Sequence, residues 1–164
     1  MNAQFQRVGL HSYQHCPQPM PVPHRHNELE FLYLRSGSVS YAFGPCNVQL
    51  PLRRLLVFWA GLPHQVLTAT ANAELIGLEV PLAWFLHWKL PERFSAPLFQ
   101  GQILATSADQ HGLDDGALMQ RWHKGVSTQR PFARQAALLE CQARLWRLCL
   151  GFRALPTRAP LELD

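Results

Sequence analysis

Charge is scarce in this chain. Asp, Glu, Lys and Arg make up 16% of its 164 residues, against about a quarter in an ordinary soluble domain. Hydrophobic residues reach 48%, enough for a packed core, which excludes an intrinsically disordered chain. No apolar run approaches the roughly 18 residues that a membrane-spanning helix requires. Residues 1–16 also lack the apolar stretch of a secretory signal. The four cysteines, Cys16, Cys46, Cys141 and Cys149, form no C-x-x-C pair and no small-domain disulfide framework. A reduced, cytoplasmic protein without a membrane partner is therefore expected.

What is present is proline and glycine, 13 and 10 respectively, which argues against an all-helical bundle. The length suits one domain. The net charge is +4, unevenly spread. Residues 1–120 hold seven Lys/Arg and eight Asp/Glu, whereas residues 121–158 hold eight Lys/Arg and one acid, Glu140. Such a run reads as a solvated helix face or as a surface for an acidic partner.

The chain divides into segments. Residues 1–23 end in Pro17, Pro19, Pro21 and Pro23, a spacing that enforces extended backbone and predicts an arm lying on the body. Residues 24–112 predict a β barrel. Leu29–Leu34, Leu55–Trp59 and Leu75–Val80 read as buried strands. Val39, Tyr41 and Phe43 alternate with smaller residues, Val48 and Leu50 repeat the pattern, and turn signals recur about every ten residues. A short helix is expected near 82–89, and residues 91–112 read as loop with a strand around Ile103-Leu104. Residues 113–153 predict two helices, one capped by Asp114 or Asp115 and running to about Lys124, the other from Pro131 to Gly151. Residues 154–164 read as the start of a linker.

The last helix carries two apolar stripes: Phe132, Ala136, Leu139, Ala143, Trp146 and Leu150, and Leu138, Cys141, Leu145, Leu148 and Phe152. A surface helix on a monomer needs only one. One stripe would face the barrel and the other a second helix, either that at 114–124 or one from another chain. Leu138, Cys141, Leu145 and Leu148 are taken here as the candidate dimer contact.

His24-Arg25-His26-Asn27-Glu28-Leu29-Glu30 holds the sharpest chemistry. His24, His26 and Glu30 share parity and would face one side of extended backbone. Two imidazoles and a carboxylate suit Zn, Ni, Fe or Mn. A straight strand would set Glu30 about 13 Å beyond His26, at about 3.3 Å per residue, too far for one ion. A bend at Asn27 is therefore required. Gly61-Leu62-Pro63-His64 presents another histidine after a glycine turn. The alternative is a metal-free pocket whose polar groups satisfy one another.

His24-x-His26-xxx-Glu30 with the following Gly37, and Gly61-xx-His64, resemble the two signatures of the cupin superfamily of small antiparallel β barrels (double-stranded β-helix, jelly-roll). The resemblance implies that His24, His26, Glu30 and His64 fill all four metal-ligand positions. Arg53 and Trp59 stand where the second signature has glycine and proline. Pro23-His24-x-His26, Leu55–Ala60 and Pro63-His64-Gln65 further resemble the sensor domain of AraC-type transcription regulators, the melibiose-regulator branch above all. That resemblance implies an N-terminal cupin-like barrel that binds a small-molecule effector, helices that form a homodimer, and DNA contact through a C-terminal domain beyond Asp164. Trp59, Tyr41 and Phe43 are the candidate ligand-binding residues, since aromatic faces beside polar groups suit a sugar. Trp59 could equally be core packing. The competing reading is a stand-alone metal-dependent cupin enzyme of dioxygenase or isomerase type.

Overall fold

The computed structural model describes residues 9–107 and 114–156. Of the expected arm (residues 1–23) and linker (residues 154–164), residues 1–8 and 157–164 lie outside the described residues, and Ala154 belongs to a strand. Among the described residues, nine strands form two antiparallel sheets. They are β1 (His11–His15), β2 (Glu28–Ser36), β3 (Val39–Phe43), β4 (Cys46–Gln49), β5 (Leu55–Trp59), β6 (His64–Ala69), β7 (Glu74–Pro81), β8 (Leu104–Ala105) and β9 (Arg153–Ala154). The larger sheet runs β1-β7-β2-β5-β8-β9 and the smaller β4-β3-β6. The helices are α1 (Leu82–His87), α2 (Glu92–Phe99), α3 (Asp115–Ser127) and α4 (Pro131–Leu148). A barrel of antiparallel strands followed by helices is the expected class.

Strand parity divides the apolar residues between two cores. Leu32, Leu34, Leu56, Phe58 and Leu75 of the large sheet meet Val39, Tyr41, Phe43 and Val66 of the small one inside the barrel. Their strand neighbours Phe31, Tyr33, Leu55, Val57, Ile76 and Leu78 point to the opposite face, where Met119, Trp122, Cys141, Leu145 and Leu148 of the helices cover them. The large sheet is thus buried on both faces, and this explains the near-continuous apolar runs of β2, β5 and β7.

Two expectations change. Part of the expected arm is a strand of the body: β1 pairs with β7 from His11↔Glu79 to His15↔Leu75 and forms an edge of the large sheet. The proline-spaced run behind it lies along β6, where Met20 N–H donates to Val66 O at 2.9 Å. Prolines, having no N–H, leave such a segment few bonds to make. β6 falls within the region read as β, though no strand was named there. α2 replaces part of the loop expected over residues 91–112, with Pro97 inside it.

The candidate dimer stripe of α4 packs inward, the intramolecular option of the two. Cys141, Leu145 and Leu148 are fully buried in this chain's own helix–sheet core, with Leu138 packed against it. Cys141, Leu145 and Leu148 are thus enclosed by their own chain, while Leu138 is half-buried. The other stripe faces outward, with Leu139, Trp146 and Leu150 exposed and Phe132 at 89% exposure. The helical end is closed by Arg144, buried, whose Nε and a terminal N donate to the two carboxylate oxygens of Asp115 at 2.7 and 3.0 Å. Asp114 caps α3, its Oδ1 accepting from Ala117 N–H at 3.0 Å. The basic run is therefore partly committed within the fold. Arg121 pairs with Glu140 at 3.0 Å, and Arg134 donates to the carbonyls of Val126 and Leu10.

Candidate metal centre

His24 and His64 are set by the backbone. They form an isolated antiparallel bridge, with His24 N–H donating to His64 O at 3.0 Å and His64 N–H to His24 O at 2.9 Å. The chain then crosses from the small sheet to the large one. His26 N–H donates to Ala60 O, Ala60 N–H to Glu28 O, and a bend falls at Asn27. β2 begins at Glu28, and Glu30 points into the barrel. The geometric condition drawn from the sequence, a bend between His26 and Glu30, is met at the residue expected.

Four side chains converge. Ligand atoms of His24, His26 and His64 all lie within 4.8 Å of one another. Glu30 Oε2 is 3.5 Å from both His26 Nε2 and His64 Nε2. These distances exceed those of good hydrogen bonds. They are close to the roughly 3.3–3.4 Å that separates two donors held at about 2.0–2.1 Å around one tetrahedral ion.

The outer nitrogens are already occupied. His64 Nδ1–H donates to Leu62 O at 2.9 Å, and His26 Nδ1–H donates to Glu28 Oε2 at 2.8 Å. That leaves both Nε2 atoms facing inward, the arrangement by which a second partner fixes the ligating tautomer. Among the described residues, His24 Nδ1, Glu30 Oε2 and His64 Nε2 are buried side-chain atoms without a hydrogen-bond partner. Three unsatisfied buried groups at one point are costly. A divalent cation would satisfy them together, so the residues present fit the group that the sequence implied.

Electrostatics follow from this crowding. Burial disfavours a charged His26, but contact with the Glu30 carboxylate outweighs it and lifts the ring to about 9. Burial would raise Glu30, yet His26 and His64 hold it down at about 2. His24 is lowered, by burial first and by His64 next. Its imidazole is thus neutral and ready to donate a lone pair.

Of the candidate ligand-binding aromatics, Tyr41 and Phe43 lie inside the barrel, and the Phe43 ring is 6.2 Å from that of His64. Trp59 does not join them. β5 parity turns it to the outer face, where it packs against the helix–sheet core and meets Phe99 edge-on at 5.7 Å. Its indole is core packing, the alternative left open above.

Sequence reasoning missed the β1 contribution. Tyr13 Oη–H donates to Glu30 Oε1. Burial, and then the Glu30 charge, hold the phenol well above its ordinary value, so it stays protonated. His11 Nδ1 lies 3.3 Å from Glu79 Oε2 on the same face of the sheet. The alternation His11-x-Tyr13-x-His15 was the available signal, hidden by reading the segment as an arm.

Comparison with known proteins agrees with the sequence resemblance. No protein-family model matches the chain. The chain is 26% identical over 150 residues to the melibiose operon regulatory protein of Escherichia coli K12, covering 91% of this chain and 48% of that protein. The same protein from Escherichia coli O6:H1 matches equally. The chain thus spans about half the length of the curated relatives it matches. Among solved structures, a candidate mannose-6-phosphate isomerase from Ralstonia eutropha overlaps 48% of this chain and 80% of its own, at TM-score 0.39 and 16% identity. Oxalate decarboxylase of Bacillus subtilis, studied for its Mn(II) centres, overlaps 56% of this chain and 29% of its own, at TM-score 0.38 and 20% identity. At those scores neither bears on what this chain does. The resemblance to AraC-type regulators of the melibiose-regulator branch, first carried by the histidine motifs, is met by a homologue that aligns over nine-tenths of the chain.

Proposed function

We propose that this chain is the effector-sensing and dimerising part of an AraC-type transcription regulator, and not an enzyme. The observation that carries the reading is the similarity to the melibiose operon regulatory protein across 91% of the chain. DNA would be reached through a separate C-terminal domain, in keeping with this chain's spanning 48% of the regulator it resembles. The sensing part is the barrel of residues 24–112 together with β1, and the dimerising part is the helical segment 113–153. A regulator of this kind would act in the cytoplasm. Among the described residues no helix is long and apolar enough to cross a membrane.

The barrel would hold a divalent transition metal, Zn, Ni, Fe or Mn, on His24, His26, Glu30 and His64. Three buried acceptors left without partners at one point support this. Once bound, the ion would supply a fixed positive charge and a Lewis-acidic position for an oxygen of the effector. The protein's own part is orientation. Leu62 O and Glu28 hold two imidazoles in the ligating tautomer, while Tyr41 and Phe43 wall the adjacent interior. A small polar effector such as a sugar suits that combination of phenol, aromatic ring and imidazoles. A homodimer would use the outward stripe of α4, since Phe132, Leu139 and Trp146, with Leu150 just past the helix end, expose apolar surface.

A thermal-shift panel of sugars and small carboxylates, run with and without each metal, tests the reading. Binding to the native state raises the melting temperature by mass action. A ligand that stabilises the protein and is recovered unchanged supports a sensor. A ligand that is converted by the metal-loaded protein would establish the stand-alone enzyme instead.

A further inference from the structure

Glu30 offers its two oxygens to different tasks. Oε2 faces His26 and His64 at 3.5 Å. Oε1 accepts from Tyr13 Oη–H, on a strand that begins 19 residues earlier and reaches the site only because β1 joins the edge of the large sheet. Room for that phenol is provided by its cross-strand partner. Tyr13 pairs with Gly77, and a Cβ at Gly77 would run into the Tyr13 ring. The ring lies on the interior side, packed against the barrel core.

We propose that Tyr13 is a positioning residue of the metal centre: its hydroxyl takes Glu30 Oε1 and commits the carboxylate to bind a cation through Oε2 alone. Gly77 is the residue that admits it. The proposal rests on the metal reading of His24, His26, Glu30 and His64 and adds to it the carboxylate's binding mode. A carboxylate with both oxygens free can chelate in a bidentate manner and favours higher coordination numbers. One with an oxygen held by a phenol presents a single donor, which suits a low-coordinate ion.

The test uses Co(II) as a spectroscopic probe in the intact chain, with Tyr13→Phe and Gly77→Ala beside the unaltered protein. Tyr13→Phe keeps the ring and removes only the donor. It is expected to weaken Co(II) binding about tenfold, the lower end of what removing such a supporting partner costs. The visible d–d bands should also weaken, as the freed carboxylate raises the coordination number. Gly77→Ala displaces the ring and, if folded, should reproduce both changes. If it does not fold, Tyr13→Phe decides alone. A Tyr13→Phe protein that binds Co(II) within twofold of the unaltered chain, with the same bands, overturns the proposal while leaving the metal centre standing. An unaltered chain that takes up no Co(II) overturns the centre itself and the proposal with it. A purely structural role for Tyr13 would lower the melting temperature and leave the bands unmoved, and that result also counts against the proposal.

Discussion

His24 and His64 exchange backbone hydrogen bonds in both directions, at 3.0 and 2.9 Å, and their rings stand 4.3 Å apart. Forty residues of sequence separate two imidazoles that one antiparallel bridge holds side by side. The bridge, not the side chains, sets their spacing. His64→Ala and His24→Ala should therefore fold while losing metal. Each is expected to weaken binding at least a hundredfold by removing a ligand, with a change of about 1 kcal/mol or less in metal-free stability. Denaturant unfolding without metal, paired with metal titration, checks this. Equal loss of stability in both variants without any loss of metal affinity would contradict it.

The His26–Glu30 pair gives a pH dependence whose sign is fixed. His26 is raised from 6.5 to about 9, so its contribution to metal-free stability is fully present below 6.5 and is lost as pH rises through about 9. Glu30 is lowered from 4.5 to about 2, so its contribution is present above 4.5 and lost as pH falls through about 2. The metal-free protein should lose stability between pH 6.5 and 9, and Glu30→Gln should flatten that decline. Metal affinity should rise over the same interval, because the ion replaces the His26 proton. Unfolding curves at several pH values, in the presence of a chelator, measure the first effect.

Asp115 and Arg144 close the helical end through two hydrogen bonds with the arginine buried. Removing the carboxylate takes two charge-assisted hydrogen bonds from the buried guanidinium. Asp115→Ala is expected to cost about 3 kcal/mol, read by urea unfolding, with metal affinity unchanged because the pair lies on the helix side of the large sheet.

The two stripes of α4 separate stability from assembly. Leu145→Asp would place a charge in the helix–sheet core and should abolish folding. Leu139→Asp, on the exposed stripe, should leave the fold intact and convert a dimer to a monomer in analytical ultracentrifugation. A Leu139→Asp protein that remains dimeric would move the interface elsewhere.

The barrel strands were legible because burial on one or both faces writes itself into period-two or continuous apolar patterns. Leu29–Leu34, Val39–Phe43 and Leu55–Trp59 all appear within β2, β3 and β5. The convergence of His24, His26, Glu30 and His64 was legible through motif spacing, together with the bend that it demanded. Less legible was everything decided by tertiary pairing. β1 was read with the arm because the proline-spaced run follows it, and pairing with β7 is what makes it a strand. α4 displayed both stripes, but periodicity cannot say which one the molecule keeps for itself. Cys141 and Leu145 were assigned outward for that reason. Trp59 was misplaced by one face because a continuous apolar run, unlike an alternating one, carries no parity.

The metal centre is the central claim, and direct stoichiometry tests it. The chain should be purified without added metal, stripped with chelator, reloaded with Zn(II) or Mn(II), and its metal content measured after desalting. One ion per chain, retained by the unaltered protein and lost in His64→Ala, is the predicted result. No retained ion in the unaltered chain, or equal retention in His64→Ala, would contradict it.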